Sequence, residues 1–197
     1  MADETVSTVH PQVGDQPNKW ELRRTAALAA LTERAYSAAV AITRPTNETP
    51  YDIGDAIGVT AGGETPEAAG SAILTFANLG PSGAHVLITD VTLEIDVAAI
   101  PAGMDAFKLR LYNAAPGAIL DNAAWDLASA ADRGKYLGSI AITKPVDLGG
   151  TLVAEVTGLS KTVKLVGTSL FAVLTTDAAY TPTSAAVKKV TITTRAI

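Results

Sequence analysis

The chain has 197 residues, with 15 Lys+Arg against 20 Asp+Glu, a formal net charge of −5 and an isoelectric point near 5.0. That acidic balance, with no run of basic residues, argues against a grip on nucleic-acid phosphates. The absence of cysteine removes disulfides, thiolate metal sites and Cys nucleophiles together. A mean hydropathy of +0.25 comes from Ala and Val, without an apolar run long enough to span a bilayer. Charged residues are only 18% of the chain, which implies either a surface covered by partners or a solvated one rich in Ala, Gly and Thr.

Residues 1–16 are polar, acidic and aperiodic, and read as an extended arm rather than a secretory signal. Residues 17–35, PNKWELRRTAALAALTERA, change character: Pro17 suits a helix start, and Trp20, Ala27, Leu28, Leu31 and Ala35 fall near one face. Residues 1–35 are therefore expected to be an N-terminal arm carrying a helix. From Tyr36 the period becomes two, and residues 36–197 read as one β-domain. YSAAVAIT (36–43) is a first strand, YDIGDAIGVT (51–60) gives two short pieces around Gly54-Asp55, and AGGETPEAAG (61–70) is a loop. SAILTFANL (71–79) follows, with Leu74 and Phe76 inward. In AHVLITDVTLEIDV (84–97), Val91, Leu93 and Ile95 alternate with polar residues, while Val86 and Ile88 sit in the opposite phase. That phase change predicts a bulge near Thr89-Asp90.

Phe107, Leu109 and Leu111 define the next strand, opposite Lys108, Arg110 and Tyr112. A turn at Pro116-Gly117, a short acidic helical connection around DNAAW and a return strand beginning KYLG complete a corner. Ile140 and Ile142 belong to that return strand, ended by Pro145. TLVAEVT (151–157) and TVKLV (162–166) are expected to pair as a hairpin through GLSK. TSLFAVLTT (168–176), apolar on both faces, should be central or doubly covered. AAVKKVTITTR (185–195) closes the chain with Val190 and Ile192 inward. Roughly eight or nine short strands without a βαβ rhythm predict an all-β fold, an antiparallel β-sandwich of jelly-roll type with an N-terminal arm and one short helix. The expected core is Phe76, Leu93, Ile95, Phe107, Leu109, Leu111, Val156, Phe171 and Ile192.

Chemistry is hard to place on this pattern. His10 lies in the arm and His85 opens a strand, in phase with the inward set downstream; neither is accompanied by a group that would orient it as a base. Asp121, Asp126 and Asp132 offer oxygen ligands, but without the ordered spacing of a calcium loop. Asp121 or Asn122 as a helix cap, with Asp126 in the first turn, is the favoured reading. Asp55 reads as a turn residue, and Trp125 as a plug beneath its own loop. Asn47-Glu48-Thr49 matches a glycosylation sequon but carries little weight without a signal peptide. The expectation is no enzymatic activity, no catalytic metal and no cofactor.

Two motifs taken together resemble a family. PYDIGDAIG (50–58), and LRLYNAAPGAILDNAAW followed by DRGKYLGSI, are similar to small virion proteins of tailed bacteriophages that decorate or cement the capsid. The resemblance covers roughly residues 36–197. It implies that Tyr51, Gly54, Asp55, Gly58, Asp121, Asn122, Trp125, Tyr136 and Gly138 are framework positions. It further implies a virion location on the capsid surface, with the major capsid protein and further copies of the chain, as a homotrimer, for partners; the charge and hydropathy already argue against nucleic acid and membrane. Trp20, Leu22, Leu28 and Leu31 of the arm are the expected anchors on the capsid or a partner. The alternatives are a glycan- or cell-surface-binding module, for which Trp125 and Tyr112 would line an exposed groove, and a tail or baseplate component.

Overall fold

Alternation of apolar and polar residues builds eleven strands in the structure, a computed structural model that describes residues 34–58, 72–127 and 130–197. The arm with Trp20, Leu22, Leu28 and Leu31, His10, and the loop 61–70 lie outside the described residues. The strands are β1 (Ala35–Thr43), β2 (Ala56–Ile57), β3 (Ile73–Phe76), β4 (His85–Asp96), β5 (Phe107–Tyr112), β6 (Tyr136–Ile142), β7 (Val146–Asp147), β8 (Leu152–Val156), β9 (Lys161–Lys164), β10 (Leu170–Thr176) and β11 (Val187–Ala196). A single turn of helix, α1 (Ala130–Arg133), precedes β6. Residues Ala35–Ile197 form one unit.

All strand pairs are antiparallel. One sheet runs β1-β11-β4-β8-β7, and the other β2-β10-β5-β6. The two strands off these paths are continuations. β8 pairs with Val91–Ile95 of β4 and β9 with His85–Ile88, so β8 and β9 lie end to end along one side of β4. In the same way β2 and β3 lie end to end along β10. Counting each such pair as one strand, and setting aside the two-residue β7, leaves eight, ordered 1-8-3-6 and 2-7-4-5. That is the double Greek key of a jelly roll.

The expected hairpin at GLSK is therefore a correction. The connection does not reverse, because Leu159 N–H donates to Thr89 O at 2.8 Å and keeps the chain beside β4. Thr89 is also where β4 slips against β11, since Thr193 faces Asp90 and Thr194 faces Ile88. The phase change in the sequence is this bulge, and it lets Val86 and Ile88 join Val91, Leu93 and Ile95 on the buried face. It also turns His85 outward, against the expectation from the downstream phase.

The core fills the space between the sheets, with Phe76, Leu93, Ile95, Phe107, Leu109, Leu111 and Ile192 buried and Val156 half-buried against them. Phe171 is a second correction. Leu170, Ala172 and Leu174 face that core, so Phe171 and Val173 point to the opposite side of the sheet. There they meet Ala56, Ala72, Tyr112 and Trp125 in a smaller cluster. β10 is thus central and covered on both faces, as its sequence implied.

Ile95→Ala should cost about 2–5 kcal/mol in urea unfolding, because the cavity opens in the fully closed part of the core. Val156→Ala at the half-buried rim should cost clearly less; equal losses would contradict the assigned depth.

Candidate functional site

The two motifs pack against each other. The segment Asp121–Trp125 runs antiparallel to Gly54–Gly58: Trp125 N–H donates to Gly54 O at 3.0 Å, Ala56 N–H to Ala123 O at 2.9 Å, and Asn122 N–H to Ala56 O at 2.9 Å. Asp55 and Ala124 form an isolated bridge. One carboxylate oxygen of Asp121, Oδ1, accepts both the Tyr51 hydroxyl at 2.6 Å and the Gly58 N–H at 2.8 Å. Glycine is needed at 58 because a Cβ would stand 2.9 Å from the Asp121 Cβ and 3.0 Å from its backbone. Asp55 closes its own turn, with Oδ2 accepting the Asp52 N–H at 2.7 Å.

Behind Tyr51 lies an ionic interior. Arg44 is buried, its Nε donating to the Tyr51 hydroxyl at 3.1 Å and its Nη2 to Thr49 O at 2.6 Å; Nη1 reaches Asn47 O. Its guanidinium carbon sits 4.9 Å from the Tyr51 ring centre. Tyr51 and Tyr180 exchange backbone hydrogen bonds and pack ring on ring at 5.4 Å. The Tyr180 hydroxyl is buried without a hydrogen-bond partner among the described residues. Burial raises the pKa of both phenols, and the Asp121 charge adds to the rise at Tyr51. Lys188 is buried between Ile42 and Ile95, its neighbours on β1 and β4. Burial, with the Arg44 charge adding to it, pushes Lys188 down to about 8.

A second group lies on the outer face of the β10-containing sheet. The Trp125 indole N–H donates to the Tyr112 hydroxyl at 2.7 Å. Arg110 caps one indole face, 4.0 Å from its centre, and Tyr136 packs on Trp125 and Tyr112 at 5.6 and 5.4 Å. Tyr136 reaches this position through a register shift between β5 and β6, and Gly138 provides the positive φ of 94° beside it. The Pro116-Gly117 turn is fastened by Asp132, which accepts the Gly117 N–H at 3.1 Å and pairs with Lys135 at 3.1 Å. Those two partners hold the Asp132 carboxyl below the usual range, with Lys135 dominant.

All nine framework residues of the sequence reading are thus placed, and seven of them, Tyr51 to Gly58 and Asp121 to Trp125, meet in one interlocked unit. The helix-cap reading of Asp121 and Asn122 is corrected. No helix follows them directly: Asn122 sits in a turn at φ 60°, residues 123–127 are not helical, and α1 begins only at Ala130. Asp121 binds a donor 63 residues away instead. Asp121, Asp126 and Asp132 do not converge, and no group of three metal-ligating side chains occurs among the described residues. Trp125 is a plug, as expected, and Tyr112 is buried beneath it rather than lining a groove. Sequence reasoning missed Arg44 and Lys188. The signal was present, since both share the inward phase of their strands, Arg44 with Ile42 and Lys188 with Val190 and Ile192.

No protein-family model matches the chain, and no curated protein matches it. Among solved structures, it is similar to a chain of the Israeli acute paralysis virus full particle, at 10% identity and a TM-score of 0.32, over 95% of this chain and 83% of that one. A bacterial lipoprotein from Bacteroides thetaiotaomicron aligns at 9% identity and 0.31, over 85% and 86%. A chain of the native Kashmir bee virus virion aligns at 12% identity and 0.28, over 95% and 82%. Likenesses this loose transfer no role.

Tyr51→Phe should lower stability by about 1–3 kcal/mol, because it strips a donor from Asp121 and an acceptor from Arg44. Tyr180→Phe, which removes only an unpartnered hydroxyl, should be neutral or stabilising. Equal losses in chemical denaturation would contradict the network.

Lys188 also predicts a pH dependence. Between about 8 and 10.5 the unfolded chain binds more protons at this position than the folded one. Its destabilising effect is therefore full below pH 8 and relieved as pH rises through that window. Wild type should gain stability relative to Lys188→Met from pH 8 to pH 10; parallel profiles would contradict the burial.

Proposed function

We propose that this protein is a structural component of a virus particle, decorating or cementing the outer face of the capsid shell of a tailed bacteriophage. The observation that carries the reading is the interlock of the two resemblance motifs on a jelly-roll frame. Apart from the buried Asn122 Oδ1, which has no partner among the described residues, its hydrogen-bonding groups are largely spent on one another, so the motif builds a corner and leaves little to act on a substrate. Jelly rolls recur in viral shells. The charge-poor surface adds support: Ser37, Ala39 and Ala41 are exposed on β1, and Ile53, Val146, Leu148, Val166 and Ile197 are exposed elsewhere.

On this reading the partners are the major capsid protein and further copies of the chain, with a homotrimer as the resemblance implies. The protein is not an enzyme and carries no cofactor. The arm, through Trp20, Leu22, Leu28 and Leu31, supplies the capsid contact. Aromatic anchors commonly dominate such interfaces, and losing one costs about 2 kcal/mol or more. Glycan binding is the weaker alternative, because the indole N–H of Trp125 is committed to Tyr112 and one ring face to Arg110.

The test mixes the full chain, and a chain lacking residues 1–35, with shells assembled from the major capsid protein of the same phage. Co-sedimentation of the full chain at a saturable ratio, lost in the truncated chain while its melting temperature holds, is the expected result. Equal binding of both would reject the arm as the contact. A full chain that stays in the supernatant at saturation would reject the capsid reading.

A further inference from the structure

We infer that the outer edge of β1 is a docking surface for a second copy of this chain, which pairs β1 to β1 antiparallel about a two-fold axis. Arg44 N–H donates to Ala186 O at 3.2 Å, one step beyond the paired Thr43 and Val187. By the alternation of an antiparallel ladder, the even-numbered residues of β1 bond to β11. Ser37, Ala39 and Ala41 therefore turn their N–H and C=O groups to the other side. Among the described residues no strand pairs with β1 there.

Among the described residues the other sheet edges are short, split or carry lysines, as β9 does at Lys161 and Lys164. β6 is bounded by Lys135 and Lys144, and the Lys161 amine stands 3.1 Å from where a Cβ on Gly138 would lie. Lysines at an edge discourage strand addition. β7 has two residues, and the edge opposite β5 is split between β2 and β3. β1 has nine residues, AYSAAVAIT, with no charge, proline, glycine or bulge. Such an edge invites pairing unless something covers it.

The composition favours a copy of itself as the cover. With Ala39 opposite the partner's Ala39, Ser37 meets the partner's Ala41, and about six backbone hydrogen bonds close. No like charges are opposed within the strand. On the core side Ala38 meets the partner's Val40. Ala38 and Val40 are half-buried, so their remaining exposure is what the copy would close. This contact does not depend on the capsid reading. It is two-fold, and so can join copies belonging to different trimers.

The test is amide hydrogen exchange of the full chain at two concentrations, beside sedimentation equilibrium of wild type, Ala39→Lys and Ala41→Pro. Ala39→Lys sets a lysine against its own copy, and Ala41→Pro removes a donor that β11 does not use. The inference expects the amides of Ser37, Ala39 and Ala41 to be protected when concentrated and to lose that protection on dilution. It also expects both variants to weaken self-association about tenfold or more, roughly 1.4 kcal/mol, with circular dichroism unchanged. Protection that persists at every dilution would mean that residues 1–33 of the same chain cover the edge, and would overturn it. Amides unprotected at every concentration, or self-association unaffected by either variant, would overturn it too.

Discussion

One carboxylate oxygen holds the corner of this molecule together. Asp121 Oδ1 accepts a phenol and a backbone amide from a segment more than 60 residues earlier. Around that junction the chain lays Asp121–Trp125 along Gly54–Gly58, and Trp125 then covers the outer face of the second sheet. Tyr51 passes the connection inward to Arg44. Arg44 in turn holds the carbonyls of Asn47 and Thr49, shaping the loop that leads from the first sheet to the second. A buried charge is expensive to desolvate and is tolerated where it is paired, as Arg44 is with Tyr51 and the carbonyls of Asn47 and Thr49. Here it fixes how the chain crosses between sheets, which hydrophobic packing alone would leave loose.

The rest of the sandwich depends on that crossing and on one bulge. At Thr89 the long central strand changes phase, and the strand beside it is interrupted at the same level by Leu159, whose N–H donates to Thr89 O. A strand of twelve residues can thereby keep apolar side chains facing the core on both sides of the break. The exposed side of β1, with Ser37, Ala39 and Ala41, is small and uncharged, and it is the side that the proposed second copy would cover.

Most of the fold was legible because it rests on period-two alternation. Most strand positions follow from that alternation, the bulge from the opposite phases of Val86 and Val91, and the doubly covered β10 from its apolar residues on both faces. The reading failed where a local rule competed with a distant partner. Gly158 suggests a hairpin, yet the segment runs on because Thr89 captures Leu159. Asp121 followed by Asn122 suggests a helix cap, yet its acceptor is taken by Tyr51 and Gly58. Phe171 was assigned to the main core because both faces of its strand are apolar, and alternation alone does not say which face meets which layer. Arg44 and Lys188 were legible in phase but are unexpected in type, since charges seldom occupy inward positions. The motif residues could be named from the resemblance, and only the three-dimensional arrangement gives the reason they occur together.

The claim beneath this account is that the motif is a mechanical junction, with Tyr51 and Asp121 acting as one unit. A double-mutant cycle on unfolding free energy, built from Tyr51→Phe and Asp121→Ala, tests it most directly. The account predicts a coupling of about 0.5–3 kcal/mol, because either substitution alone already breaks the shared hydrogen bond. Additive losses, with coupling near zero, would mean that the two residues stabilise the fold independently and that the junction is not what holds the corner.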